Sequence, residues 1–315
     1  MSSVVTIGMY DGVHRGHQAV LAAARAEADA RGIPLIVMTF DPHPVKVHRP
    51  DAYLTEVTTL EHRIDLLRDL GVDEVDVVPY SLGFAAQSPR EFVQTYLLER
   101  LAASCVVEGE DVRFGAGNAG DAQCLASLGA DLGFDVRIVS DLHDPKTGRR
   151  WSSTWVREAL LAGDVREAAY VLGRPHRVRG EVEHGLKRGR ELGFPTANVH
   201  AKGVGVVPAD GVYAGWLVLC DNGVVRPLPA AISVGTNPHF DGERRTVEAH
   251  VLGRSDLNIY GQTVQVEFTE RIRAMASFDS LDALLAEMDR DLATTARILG
   301  VPSASRVDPA SVTAK

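Results

Sequence analysis

The sequence predicts an α/β domain built on a parallel sheet, followed by a small antiparallel β-barrel with a carboxyl-terminal helix. Three observations predict it. From Val4 to about Leu172, short β-branched runs alternate with segments of helical periodicity, the pattern of a parallel sheet covered on both faces. After Arg174 and Pro175, strand-like runs follow one another with no helix between them. Finally, Leu281, Leu284, Leu285, Met288 and Leu292 lay a single apolar stripe along a helix from Leu281 to Ile298.

In the first half the expected strands are Val4 to Ile7, Leu35 to Phe40, Glu74 to Pro79, Ser104 to Val107 and Val136 to Val139, each too short for a helix. The expected helices are His17 to Ala30, Leu60 to Leu70 and Pro89 to Leu101; in the second, Leu60, Ile64 and Leu67 share one face. In the second half Tyr213 to Leu219, Val225 to Val234, Thr246 to Leu252 and Thr263 to Phe268 read as strands. Asp221-Asn222-Gly223 is a tight-turn signal between the first two. The division falls near Leu172, giving domains at 1–172 and 173–302 and a small-residue tail at 303–315 that is expected to fray.

The chain has 315 residues and a formal charge of −9, which disfavours a general nucleic-acid binder while leaving room for a local cationic phosphate site. Cys105, Cys124 and Cys220 are widely separated, with no zinc-ligand or redox spacing, and suit a reducing compartment. No stretch reaches the ~18 apolar residues of a membrane span, and Met1 to Thr6 lacks a basic leader region. The expectation is a soluble cytoplasmic protein with no nucleic-acid or membrane partner.

Two segments carry phosphate chemistry in the first half. Strand Val4 to Ile7 runs into Gly8-Met9-Tyr10-Asp11-Gly12-Val13-His14-Arg15-Gly16-His17 and then a helix. A glycine-bearing strand-to-helix turn directs backbone N–H groups and a helix dipole at a phosphate. His14 and His17, three apart, are expected on one helical face, donating to one polyphosphate. Ser152, Ser153, Thr154 and Arg157 open a second helical run. Their hydroxyls cap a helix or, with the Arg157 guanidinium, share a phosphate; beside the first turn they read as the other half of a triphosphate clamp.

In the second half Gly185, Gly189 and Gly193 recur every fourth residue, with Lys187, Arg188 and Arg190 between them. Such a loop wraps a polyphosphate or serves as a plain connection. Pro195-Thr196-Ala197-Asn198 follows, and Thr196 and Asn198, two apart in an extended segment, offer oxygen atoms suited to Mg²⁺. In the strand from Thr246, alternation sends Val247, Ala249 and Val251 to one face and Glu248 and His250 to the other. Position alone leaves Glu248 as either a solvated carboxylate or a base.

"TIGMYDGVHRGHQ" with "SSTWVRE" resembles the HxGH nucleotidyltransferases, and "TFDPHP" with "EGEDVRFG" narrows this to the FAD synthetase module of prokaryotic bifunctional riboflavin kinase/FAD synthetases. "GFPTANV", "DGVYAGW", "ISVGTNP" and "VEAHVLG" resemble the riboflavin kinase module of the same family. The resemblance covers Val4 to about Leu299, with its motifs in order. It implies a Rossmann-like nucleotidyltransferase domain joined to a barrel-shaped kinase. The kinase would phosphorylate riboflavin to FMN, and the first domain would adenylylate FMN to FAD with release of pyrophosphate. ATP is the co-substrate of both reactions and Mg²⁺ the implied cofactor; riboflavin, FMN and FAD are the other partners, and a homo-oligomer is left open.

By matching motif positions, the resemblance gives His14 and His17 the charge on the ATP phosphates, and Ser153, Thr154 and Arg157 the triphosphate tail. Gly8, Asp11, Gly16 and His43 fall in nucleotide-binding segments. In the kinase, Thr196 and Asn198 would contact Mg²⁺ and ATP, Gly185 and Arg190 would contact ATP, and Glu248 would take the riboflavin 5′-hydroxyl proton. The chemistry agrees: an FMN phosphate is already anionic and needs no strong base, whereas a ribityl hydroxyl gains from proton removal as it attacks.

Several positions depart from the family pattern. Tyr10 stands where the family usually has Phe, Val112 replaces an aromatic residue, and His239 replaces a Thr. Family members generally carry one to two dozen residues before the first strand, so an amino-terminal segment is expected to be missing or the start misassigned. Two rival readings are a nucleotidyltransferase for another phosphorylated acceptor with a non-catalytic barrel, and a flavin-binding regulator without turnover. The presence of His14, His17, Thr196, Asn198 and Glu248 argues against both.

Overall fold

The computed structural model of the chain describes residues 2–52, 54–184, 192–201, 203–221, 224–236 and 245–307. They fall into two compact units, Met1–Glu56 with Leu60–Ser153, and Val57–Thr59 with Thr154–Lys315.

The first unit contains β1 (Ser3–Ile7), α1 (Arg15–Arg31), β2 (Leu35–Asp41), α2 (Pro44–His48), α3 (Leu60–Asp69) and β3 (Glu74–Pro79). It continues with α4 (Leu82–Ala85), α5 (Pro89–Phe92), β4 (Ala103–Gly109), α6 (Ala122–Leu132) and β5 (Asp135–Val139). The five strands pair in parallel in the order β3-β2-β1-β4-β5. Every strand expected in this half is present.

Neighbouring residues of each strand face opposite sides. Val4, Val37, Cys105 and Val107 pack with Leu21, Ala24 and Ala28 of α1 and Leu67 of α3. Val5, Ile36, Met38 and Val106 pack with Phe92, Val93, Leu97 and Leu125 on the other side. Each large aliphatic side chain so buried contributes about 1.5–3 kcal/mol. The strand order reverses at β1, so a crevice opens at the carboxyl ends of β1 and β4, the usual ligand position in such sheets. The expected helix from Pro89 to Leu101 is α only to Phe92 and continues as a π-helix over Val93–Arg100. Helix α6 was not anticipated, because its apolar residues are mixed with small ones.

In the second unit α7 (Ser153–Ala162) and α8 (Val165–Leu172) lead into β6 (His176–Glu183), β7 (Ala197–His200), β8 (Gly211–Asp221), β9 (Val224–Thr236), β10 (Arg245–Val251) and β11 (Thr263–Arg273). These strands close a barrel in the order β10-β7-β6-β11-β8-β9, joined by antiparallel ladders. Gly215 is required where β8 meets β11, since a Cβ there would lie 1.9 Å from the Glu267 carbonyl oxygen. Helix α9 (Leu281–Leu299), capped by Ser280, buries Leu292 and Ala296 against Phe194 and Leu252. Ala304 joins that cluster, and the Val307 N–H donates to the Gly193 carbonyl at 3.1 Å. The turn expected at Asn222-Gly223 lies outside the described residues.

Candidate active sites

The first site is built on the turn between β1 and α1. Tyr10, Gly12 and Val13 all adopt positive φ, at 48°, 77° and 43°, and wind the chain tightly before the helix. The Val13 N–H donates to the Tyr10 carbonyl at 2.9 Å, and Gln18 Nε2 donates to the Val13 carbonyl at 2.8 Å. Ser153 Oγ donates to the Asp11 carbonyl at 2.8 Å, so the two expected phosphate segments meet through this bond.

His14 differs from its expected place on the first helical turn. It is the N-cap of α1, and its Nδ1 accepts the His17 N–H at 3.4 Å. With Nδ1 accepting, Nε2 is the ring nitrogen left to donate. The two imidazoles stack, with centroids 3.7 Å apart and planes 23° from parallel. Gly16 allows this: a Cβ there would lie 3.1 Å from His14 Cε1 and 3.3 Å from Trp151 Cβ. Gly8 in turn lets the Tyr10 ring lie close, since a Cβ there would be 3.0 Å from Tyr10 Cε2.

His43 caps α2, its Nδ1 accepting the Val45 N–H at 3.1 Å, at the carboxyl end of the neighbouring strand β2. Thus Gly8, Asp11, His14, Gly16, His17 and Ser153 gather in one turn and its anchor, with His43 at the end of the next strand. Thr154, exposed, and Arg157, half-buried, follow on α7 in the second unit.

Two features of the first unit were missed by sequence reasoning. Phe40, Tyr80 and Phe84 make mutual ring contacts at 5.4–5.7 Å beyond β2 and β3. Phe84 extends the set to Tyr96 at 5.0 Å, and His48 Nε2 lies 2.9 Å from the Tyr80 hydroxyl. Only Phe40 belonged to a recognisable motif. The second feature is Glu108, a carboxyl 3% exposed at the end of β4. Burial raises it well above the usual carboxylate range, a shift only partly opposed by hydrogen bonds from the Ile7 N–H and Thr6.

The kinase-type site lies on the outward face of β10. Val247 and Ala249 are buried on one side, while Glu248 and His250 line a cavity of about 380 Å³ on the other. Glu248 stands opposite Asn198 of β7 and Ser233 of β9 in the antiparallel register. Thr196, Ser233, Phe194 and Ile232 also line the cavity, and Leu284, Met288 and Leu292 of α9 close its far side. A mostly apolar chamber with a few convergent polar groups suits a flat, drug-sized ligand.

Asn198 Nδ2 donates to Thr196 Oγ1 and to the Thr196 carbonyl, both at 3.3 Å. The amide nitrogen, and not the oxygen, thus faces Thr196; a half-turn of the Asn198 amide would set its oxygen beside the Thr196 hydroxyl, a pair suited to a hard cation such as Mg²⁺, which keeps most of its other positions for water and phosphate. Burial raises the Glu248 carboxyl, with Thr246 Oγ1 at 3.4 Å opposing the shift. His250 donates from Nδ1 to the Pro195 carbonyl at 2.8 Å, and burial holds its ring in the neutral form. This bond ties β10 to the Pro195-Thr196 segment. Arg273 makes a paired contact with Asp291, Nη2 to Oδ2 at 2.7 Å, joining β11 to α9 at the cavity rim. Gly185 and Arg190 lie outside the described residues.

The family model for FAD synthetase matches residues 1–154, and that for riboflavin kinase matches residues 172–299. The bifunctional riboflavin kinase/FMN adenylyltransferase of Escherichia coli (strain K12) is 37% identical over 298 residues, 95% of this chain and 93% of that protein. Its Bacillus subtilis (strain 168) counterpart is 34% identical over 292 residues, 92% of this chain and 90% of that one. A crystal structure described as a macrolide-efflux protein from Streptococcus pneumoniae is 34% identical, with a TM-score of 0.83 over 93% of each chain. That description belongs to that protein; among the described residues here, no helix is long and apolar enough to cross a membrane. With two family models in order along the chain and relatives matched over nearly its whole length, the chain belongs to the bifunctional riboflavin kinase/FMN adenylyltransferase family.

Proposed function

We propose that the chain makes FMN and then FAD, using ATP in each step. Riboflavin is phosphorylated at the barrel, and FMN is adenylylated at the parallel-sheet unit with release of pyrophosphate. The reactions are assigned to residues 173–302 and 1–172, in a cytoplasm that supplies ATP and keeps Cys105, Cys124 and Cys220 reduced. The observation that carries the reading is the pairing of Asn198 with the cavity-lining Glu248 across one ladder, on the same chain as the stacked His14 and His17.

In the kinase step the riboflavin ring occupies the chamber between β10 and α9, and its 5′-hydroxyl meets Glu248. The carboxylate takes the hydroxyl proton as that oxygen attacks the γ-phosphorus, the bond to ADP breaks, and ADP departs. Thr196 and Asn198 would hold Mg²⁺, which would supply neutralisation of phosphate charge. His250 keeps Pro195-Thr196 against β10 and so fixes these oxygens relative to the base.

In the adenylyl transfer the FMN phosphate oxygen attacks the α-phosphorus of ATP, and the bond to pyrophosphate breaks. No base is needed, because the nucleophile is already charged. His14 donates from Nε2, and His17 with the N-terminus of α1 adds to the stabilisation of the phosphorus-centred charge. Ser153, Thr154 and Arg157 hold the triphosphate tail. The aromatic set around Phe40, Tyr80 and Phe84, beyond the ends of β2 and β3, supplies a flat apolar wall for the FMN ring.

The reading is tested by incubating the full chain with riboflavin, ATP and Mg²⁺ and separating the flavins by chromatography. FMN should appear first and FAD after it, with pyrophosphate equal to FAD. Formation of neither flavin contradicts the reading.

A further inference from the structure

A buried hydrogen-bonded chain runs beneath the His14–His17 stack, and neither reaction as described uses it. Glu108 Oε1 accepts from the Ile7 N–H and, at 3.4 Å, from Thr6 Oγ1. Thr6 Oγ1 lies 2.6 Å from the Tyr10 hydroxyl. Tyr10, Thr6 and Glu108 thus form one hydrogen-bonded chain, in which either hydroxyl can be the donor of the 2.6 Å bond, with the Ile7 N–H donating to the same carboxyl oxygen.

Burial disfavours charge at both ends. It raises the Glu108 carboxyl, and the nearby charge of Asp111 raises it further; it also raises the Tyr10 phenol, which is 2% exposed.

The outer end of the chain is a wedge. Tyr10 holds φ 48°, a left-handed backbone that is unfavourable for a non-glycine residue. Its ring lies over Gly8, and its centroid is 5.0 Å from that of His17 at an interplanar angle of 59°. His17 thus makes ring contacts with both Tyr10 and His14.

We propose that Tyr10 is a positioning residue for adenylyl transfer, anchored through Thr6 to Glu108 so that its ring fixes His17 in the stack with His14. The proposal rests on the adenylyltransferase reading of the first unit. Small displacements of a charge-stabilising group are costly: about 1 Å can lower a rate ~100-fold.

The test is a double-mutant cycle on the full chain, with FAD formation from supplied FMN and FMN formation from riboflavin both measured. Tyr10→Phe keeps the ring and removes the anchor; kcat for FAD should fall about tenfold with the KM for ATP little changed and FMN formation intact. Glu108→Gln can accept the same two hydrogen bonds and should keep a near-normal rate. Glu108→Val should lower kcat as Tyr10→Phe does, and the double substitution should be no slower than the slower single one. Additive losses, or a Tyr10→Phe protein with unchanged kcat and only a lower melting temperature, overturn the proposal. Should Glu108→Val fail to fold, Tyr10→Phe and Glu108→Gln decide the matter by themselves: equal loss of kcat in the two contradicts it. If the unsubstituted protein forms no FAD from FMN, the underlying functional reading fails instead.

Discussion

Glu248 on β10 and Asn198 on β7 are direct partners in an antiparallel ladder, so the proposed base and the proposed cation-binding amide are held about one strand spacing apart by backbone hydrogen bonds. Neither position depends on a flexible loop. Such a placement suits the proposed roles, a carboxylate base and a cation-binding oxygen at the two ends of one phosphoryl transfer.

Replacing Glu248 with Ala removes the base while leaving Thr196 and Asn198 in place. FMN formation should fall by about 10²–10⁴-fold, the usual contribution of general base catalysis. FAD formation from supplied FMN should be unchanged, as chromatography of the two flavins will show.

Glu248 also links catalysis to stability. Its folded-state pKa is raised by burial above the unfolded value. The stability it contributes is therefore fully present below the unfolded pKa and is lost as pH rises through the folded one. Catalysis needs the opposite form, so the acidic limb of the kinase pH profile should lie above that of an ordinary carboxylate. Glu248→Gln, neutral throughout, should melt a few degrees higher than the unsubstituted barrel unit at neutral pH while making almost no FMN. Calorimetry showing a lower melting temperature would count against a costly buried charge.

Gly16 is predicted to be required for the imidazole stack and not for the helix. A Cβ at Gly16 would press on His14 and Trp151, yet Ala is the better helix former. Gly16→Ala should therefore reduce FAD formation about 10- to 100-fold with little change in melting temperature. FMN formation serves as the internal control.

The parts of this molecule that are legible in the sequence are those with local signals. Strands such as Leu35–Asp41 announce themselves by β-branched runs, and His14, Gly16 and His17 by spacing. The cap role of His14 is not legible, because one residue decides whether a side chain starts the helix or precedes it. Strand β6 escapes because its Val residues alternate with charges, and β7 because it is only four residues long. Glu108 reads as a polar strand end; its burial depends on β1, whose Ile7 is 101 residues away. Likewise Phe40, Tyr80, Phe84 and Tyr96 come from separate elements and meet only in the folded unit.

The proposal divides the two reactions between separate sites, which implies that FMN can leave one and reach the other, and the most direct measurement is a mixing experiment. His17→Ala alone should convert riboflavin to FMN and stop, while Glu248→Ala alone should leave riboflavin unchanged. Mixed with riboflavin, ATP and Mg²⁺, the two proteins should restore FAD formation after a lag in which FMN accumulates. A mixture that makes no FAD, or a single variant that makes FAD from riboflavin, would contradict the account.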